Sequence, residues 1–273
     1  MPATPLQIRE LFSKLERRLA SFARNPTPQN VHGFRTSSRR VEALIRELAP
    51  KRTSNDKKLM KRLSRLRKKA GMVRDIDAQL AALRSLTFPQ EARRKARLVH
   101  ALSESRVRSQ KRLQKDLDKK LITETRRRAR RAAKQFELAP DAVLATIAKR
   151  IMNALGDSDP HDEKSLHHYR IAGKRARYVA ELAIGEPEAK LLLEQLKQMQ
   201  DRIGDWHDWL QLTARAQKLL GGPSDSALVA ALRNITRAKY RLAVEGIKLA
   251  RPGWSDRKKP ESGRSFSGAA AAA

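Results

Sequence analysis

The 273-residue sequence contains no cysteine, which excludes disulfides and thiolate metal sites. Aromatic residues make up only 4%, so the core must be built from Leu, Ile, Val and Ala. Acids are scarce relative to bases: 29 Asp and Glu stand against 60 Lys and Arg, a formal charge of +31. No run of 18 apolar residues exists, so no membrane-spanning helix is expected. The start, Met1 to Leu6, lacks the apolar stretch of a secretory signal, and a cytoplasmic chain is expected. Sustained period-two alternation, the mark of strands, is also missing.

What is present is helix-forming sequence. Long stretches of Ala, Leu, Arg, Lys, Glu and Gln run between prolines at 26, 28, 50, 89, 140, 160, 187, 223 and 252. Thr27-Pro28, Asp159-Pro160 and Glu186-Pro187 suit first helical turns. The pattern predicts an all-α chain of about eight helices. A charge of +31 destabilises a compact fold by self-repulsion. It therefore points to an anionic partner, either a nucleic acid, inorganic polyphosphate or an anionic membrane surface.

The chain repeats itself. His32, Arg35, Arg39 and Arg40 recur 135 residues later as His167, Arg170, Lys174 and Arg175. The shared pattern is H-x-x-R-x-x-x-[RK]-R. At an offset of 133, Leu63, Lys69, Gly71 and Asp75 match Leu196, Arg202, Gly204 and Asp208. The expected architecture is all-α, two four-helix halves related by internal duplication, whose basic stripes can converge into one groove. The expected boundaries are 4–138 for the first half, 139–250 for the second and 251–273 for a disordered tail. The first half includes a basic segment at 89–135. Residues 91–134 hold 17 Lys and Arg against five acids. That segment reads equally as a solvated helical face or as an arm that contacts polyanions.

At about 100° per residue, His32, Arg35, Arg39 and Arg46 share one helical arc, with Val31, Phe34, Val41, Leu44 and Ile45 opposite. His167, Arg170 and Lys174 share the equivalent arc. Further basic stripes are Arg62, Arg65 and Lys69 with Arg202, and Arg108 and Arg112 with Arg237 and Arg241. Arg forks match phosphate oxygens and Lys supplies a point charge, so converging stripes would hold a phosphate chain. Nothing in the repeated cluster itself is expected to neutralise its charge. Lone histidines without H-E-x-x-H spacing favour phosphate contact over a metal site, and neither a catalytic residue nor a cofactor is expected. Asp75 and Asp208 are read as orienting basic side chains, and Trp206 and Trp209 as core.

The segments V-H-G-F-R-T-S-S-R-R and L-H-H-Y-R-I-A-G-K-R-A-R-Y, with R-D-I-D-A-Q-L and G-D-W-H-D-W-L, resemble the CHAD family, the conserved histidine α-helical domain, over roughly residues 4–250. The resemblance implies two four-helix bundles related by an internal pseudo-twofold duplication around a central basic groove or channel, binding of inorganic polyphosphate and association with polyphosphate granules. It implies ligand contacts at His32, Arg35, Arg39, Arg40, His167, Arg170, Lys174 and Arg175. Some members carry a triphosphate-tunnel catalytic domain, but no E-x-E-x-K signature is present here. Two other readings stay open: non-specific nucleic-acid binding, and phosphoanhydride hydrolysis or metal-dependent phosphohistidine chemistry.

Overall fold

The computed structural model describes residues 4–137, 143–156, 159–183 and 187–254. Among these residues the chain is all-α, with nine α-helices and no strand. They are α1 (Pro5–Arg24), α2 (Pro28–Glu47), α3 (Ser54–Ser85), α4 (Ala92–Asp116), α5 (Lys119–Gln135), α6 (Leu144–Asn153), α7 (Glu163–Ala180), α8 (Pro187–Leu220) and α9 (Ala227–Ala250).

The starts follow from local chemistry. Thr4, Thr27, Thr53, Asp118, Asp162 and Ser226 each accept a backbone N–H of the first turn, which satisfies a donor the helix cannot. Gln7, Asp56 and Ser165 return the bond at three of these caps. Pro28 and Pro187 open α2 and α8 as expected. Pro160 does not open a helix. Asp162 caps α7 instead, and the Pro160 carbonyl accepts the Tyr240 hydroxyl at 3.3 Å.

The count is nine rather than eight because the basic segment after Glu91 forms two helices. α4 ends where the Leu117 N–H turns back onto the Leu113 and Gln114 carbonyls. Asp118 then takes extended φ/ψ and caps α5. The α5 helix lies against α1 and α3. Arg130 bonds Glu16 at 2.7 Å, and the Asn55 amide donates to the Arg128 carbonyl at 3.1 Å. Arg127 and Arg128 both pair with Glu124. Much of the Arg126–Arg131 run is thus committed to packing and ion pairs.

One main core joins α1 to α9, built on Phe12, Leu15, Leu19, Leu44, Leu63, Leu166, Leu196 and Trp206, and a smaller one joins the far ends of α3 and α8 to α4 and α9. Each such fully buried side chain contributes about 1.5–3 kcal/mol. Phe22 and Phe34 stack at 4.6 Å and fix α1 on α2. Trp206 is core, as expected, and Trp209 packs on the smaller cluster. The expected tail starts too early. Arg251–Gly253 form a 3-10 turn and Trp254 is buried in the main core. Residues 255–273, and the expected boundary at 138/139, lie outside the described residues. Among the described residues no helix is long and apolar enough to cross a membrane.

The fold places α2 against α7 and α3 against α8. These four helices carry the repeated motifs.

Candidate anion-binding groove

α2 and α7 meet through reciprocal ion pairs. Arg40 of α2 donates to Glu181, just past α7, at 2.6 Å. Arg175 of α7 donates to Glu47 of α2 at 2.8 Å. Each helix contacts its own neighbour in a matching way. Arg67 of α3 donates to the Ser38 hydroxyl at 2.9 Å, and Gln200 of α8 donates to the Gly173 carbonyl at 2.6 Å. Small residues at 38 and 173 permit this approach. A Cβ on Gly173 would come within 2.5 Å of the Met199 methyl.

With the helices so held, their polar faces surround a cavity of about 740 Å³. Arg35, Arg39 and Arg40 come from α2, Arg74 and Asp75 from α3, Arg170, Lys174 and Arg177 from α7, and Lys197 and Asp208 from α8. A smaller recess of about 250 Å³ lies alongside. Arg39, Arg170 and Lys174 line both, so these three cations form the shared wall.

The electrostatics are those of crowded, part-desolvated cations. Burial pulls the Lys174 ammonium down to about 6, and Arg170, Arg39, Arg35 and Arg177 push the same way. Burial lowers Arg35 to about 10, aided by Arg39 and opposed by Asp75. Arg170 is lowered for the same reason, with Asp208 and Asp75 opposing. Burial raises the Asp208 carboxyl, against Arg74 and with Asp75. His32 is lowered by burial and then by Arg74. In the other motif copy His167 is lowered by burial and then by Arg170. His207 falls to about 4, again chiefly through burial. The charged form of each of these basic groups is therefore disfavoured, and a bound anion would relieve that.

Of the sixteen residues singled out by sequence, six line this cavity: His32, Arg35, Arg39, Arg40, Arg170 and Lys174. His167 does not line it, and its ring lies 6.3 Å from that of His207. Arg175 lines the smaller recess while clamped by Glu47. Arg62 and Arg65 line a different cavity at the α4–α5 corner, and Lys69 pairs with Asp116 there. Arg202 pairs with Glu245 of α9 at 3.3 Å. Arg108, Arg112, Arg237 and Arg241 are exposed on α4 and α9. The stripes therefore do not all converge.

The expectation that nothing neutralises the cluster needs correction, since Glu181 and Glu47 engage Arg40 and Arg175. Eight Lys and Arg nonetheless line the main cavity against five carboxylates, so its net charge stays positive. Asp75 and Asp208 touch no cation directly and act on Arg35 and Arg170 through space. Sequence reasoning passed over Arg74, whose only signal was its place beside Asp75. Arg177, three residues after Lys174, lies close to the cationic arc in the sequence and joins the cavity lining in the fold. It covers the Tyr178 ring at 5.1 Å. Among the described residues no group of three or more His, Asp or Glu is placed to hold a metal ion.

The family model for the CHAD domain matches residues 6–217. The chain belongs to the CHAD family. No curated protein matches it. Among solved structures, this CHAD chain is similar to PptA from Streptomyces chartreusis, at 17% identity and a TM-score of 0.66, over 90% of this chain and 96% of that one. It is also similar to the CHAD domain from the plant Ricinus communis, at 18% identity and a TM-score of 0.63, over 94% and 91%. At such identities the likeness is one of fold.

Proposed function

We propose that this CHAD protein binds inorganic polyphosphate, without turning it over, in the groove between α2, α3, α7 and α8. The observation that carries the reading is the meeting of Arg39, Arg170 and Lys174, from both motif copies, in a cavity where cations outnumber carboxylates. Arg forks and a Lys point charge suit bridging phosphate oxygens. Among the described residues the groove's lining holds no Phe or Trp, and Arg177 covers the ring of its one tyrosine, Tyr178. His32 is then the sole ring left to stack a base, which favours polyphosphate over nucleic acid.

The same reading treats residues 4–138 and 139–250 as two duplicated halves about a pseudo-twofold axis passing near the α2–α7 contact. The reciprocal pairs Arg40–Glu181 and Arg175–Glu47 support it, because a twofold contact repeats itself with partners exchanged. In the cell, such a protein would be cytoplasmic and associated with polyphosphate granules.

Titration of polyphosphate into the wild type and into Arg39→Ala/Arg170→Ala/Lys174→Ala tests the proposal. Wild-type affinity should fall steeply with salt, as for other polyanions, and the triple variant should lose binding while keeping its helical circular dichroism. Equal affinity in the two proteins would refute it. Duplex DNA that displaces polyphosphate at equal phosphate concentration would favour the nucleic-acid reading instead. Phosphate release with Mg²⁺ or Mn²⁺ would return the enzymatic one.

A further inference from the structure

We propose a second anion site, separate from the groove, that takes a short inorganic phosphate oligomer such as tripolyphosphate in the corner formed by α3, the end of α4 and the start of α5. A cavity of about 960 Å³ lies there, and Arg62, Arg65, Lys115, Lys119 and Lys120 line it. It shares no lining residue with the groove. Nine residues along α3, about two and a half turns, separate Arg65 from Arg74, so they project from opposite sides of that helix.

Three carboxylates also line the corner, and each is already engaged. Asp116 pairs with Lys69. Asp118 accepts the Lys120 backbone N–H at 2.7 Å as the cap of α5. Glu124 holds Arg127 at 2.8 Å and Arg128 at 2.7 Å. By contrast, none of the five lining cations has an ion-pair or side-chain hydrogen-bond partner among the described residues. Five free cations thus face one cavity whose own acids are spoken for.

The placement of two of them adds an independent argument. Lys119 and Lys120 are the first two residues of α5. Cations there oppose the helix dipole, typically by about 0.3–1 kcal/mol each. They stand at the helix N-terminus, whose backbone N–H groups also attract anions, as the Asp118 carboxylate on the Lys120 N–H illustrates. A local arrangement that the helix disfavours makes physical sense when an anion binds it. The cavity wall has no aromatic side chain, so nothing there would stack a nucleobase. A compact polyanion without bases is the chemistry it fits, and a short phosphate oligomer supplies it.

Calorimetric titration of the full chain with tripolyphosphate distinguishes this site from the groove. Wild type should show two sites. Lys119→Gln/Lys120→Gln should weaken one of them by about tenfold per cation removed and leave the other. Arg39→Ala/Arg170→Ala should do the reverse. Because the glutamines relieve the dipole conflict, the thermal midpoint of the corner variant should stay level or rise, which separates lost binding from lost folding. A single site in wild type that vanishes in the groove variant overturns this proposal and leaves the groove reading intact. Two unchanged sites in the corner variant overturn it as well. Two unchanged sites in the groove variant would instead refute the groove.

Discussion

Lys174 offers a quantitative test of how the groove works. Burial and four neighbouring guanidinium groups hold its ammonium at about 6, so at neutral pH it is mostly uncharged until a ligand arrives. A phosphate oxygen about 4 Å away, at an effective dielectric of about 20, favours the charged form by about 4 kcal/mol. That raises the Lys174 value by about three units, to about 9. Between about 6 and about 9, binding must therefore draw one proton onto this side chain. Affinity should fall close to tenfold for each pH unit across that window.

The assay is calorimetry in buffers of different ionisation enthalpy. His32 lines the same groove, so the Lys174 proton is read as the difference between wild type and Lys174→Met. At about pH 8.5 wild type should take up about three-quarters of a proton more than Lys174→Met on binding polyphosphate. The sign for stability follows from the same depressed value. The unfolded chain keeps the lysine protonated to about 10.4, whereas the folded chain releases the proton above about 6. Stability should therefore rise with pH through that interval, at up to about 1.4 kcal/mol per unit. Lys174→Met should be the more stable protein at pH 6, and its advantage should shrink as pH rises. Proton uptake that is zero in wild type, or unchanged in Lys174→Met, would refute the account.

The other predictions use neighbouring contacts. Gly71→Ala should reduce polyphosphate affinity, because its Cβ would collide with Arg35 Nη1 and turn that guanidinium off the Arg67 carbonyl. Stability should change by no more than about 1 kcal/mol, since alanine gains helix propensity. Gly204→Ala, in the matching position of α8, meets nothing within 4 Å. It should raise the stability measured by urea unfolding by up to about 1 kcal/mol. Trp254→Ala should cost about 3–5 kcal/mol in urea unfolding, because Trp254 is 3% exposed in the main core. Arg40→Ala leaves Glu181 half-buried with a longer contact to Arg177 at 3.4 Å. It should cost about 1–3 kcal/mol of stability and weaken polyphosphate binding less than Arg39→Ala does.

The helices were legible because periodicity and caps are local. Thr27-Pro28 and the apolar faces of α2 and α7 read directly from residue order. The end of α4 was harder. In the sequence only Asp118 interrupts a run of good helix formers there, and its role as a cap shows in its bond from the Lys120 N–H. Trp254 was misjudged because the residues after it are polar and glycine-rich. Its own burial depends on α8 and α9, which no local window contains.

The site was legible to the level of the helical face and no further. Arg35, Arg39 and Arg40 share a motif, as do Arg170, Lys174 and Arg175, yet the fold splits their tasks. Arg39, Arg170 and Lys174 line both recesses. Arg40 and Arg175 hold the α2–α7 contact through Glu181 and Glu47. Both tasks require a guanidinium in the same few turns, so spacing alone does not separate them. What separates them is the distant carboxylate, 141 residues from Arg40 and 128 from Arg175. The ion pairs also explain why a chain of formal charge +31 can close around a cationic cavity. Carboxylates are spent at the helix contacts and withheld from the shared wall, so repulsion remains where a polyanion would relieve it. Reversing that allocation, with a carboxylate placed beside Lys174 instead of Arg175, would raise the lysine's pKa and remove the groove's demand for a ligand.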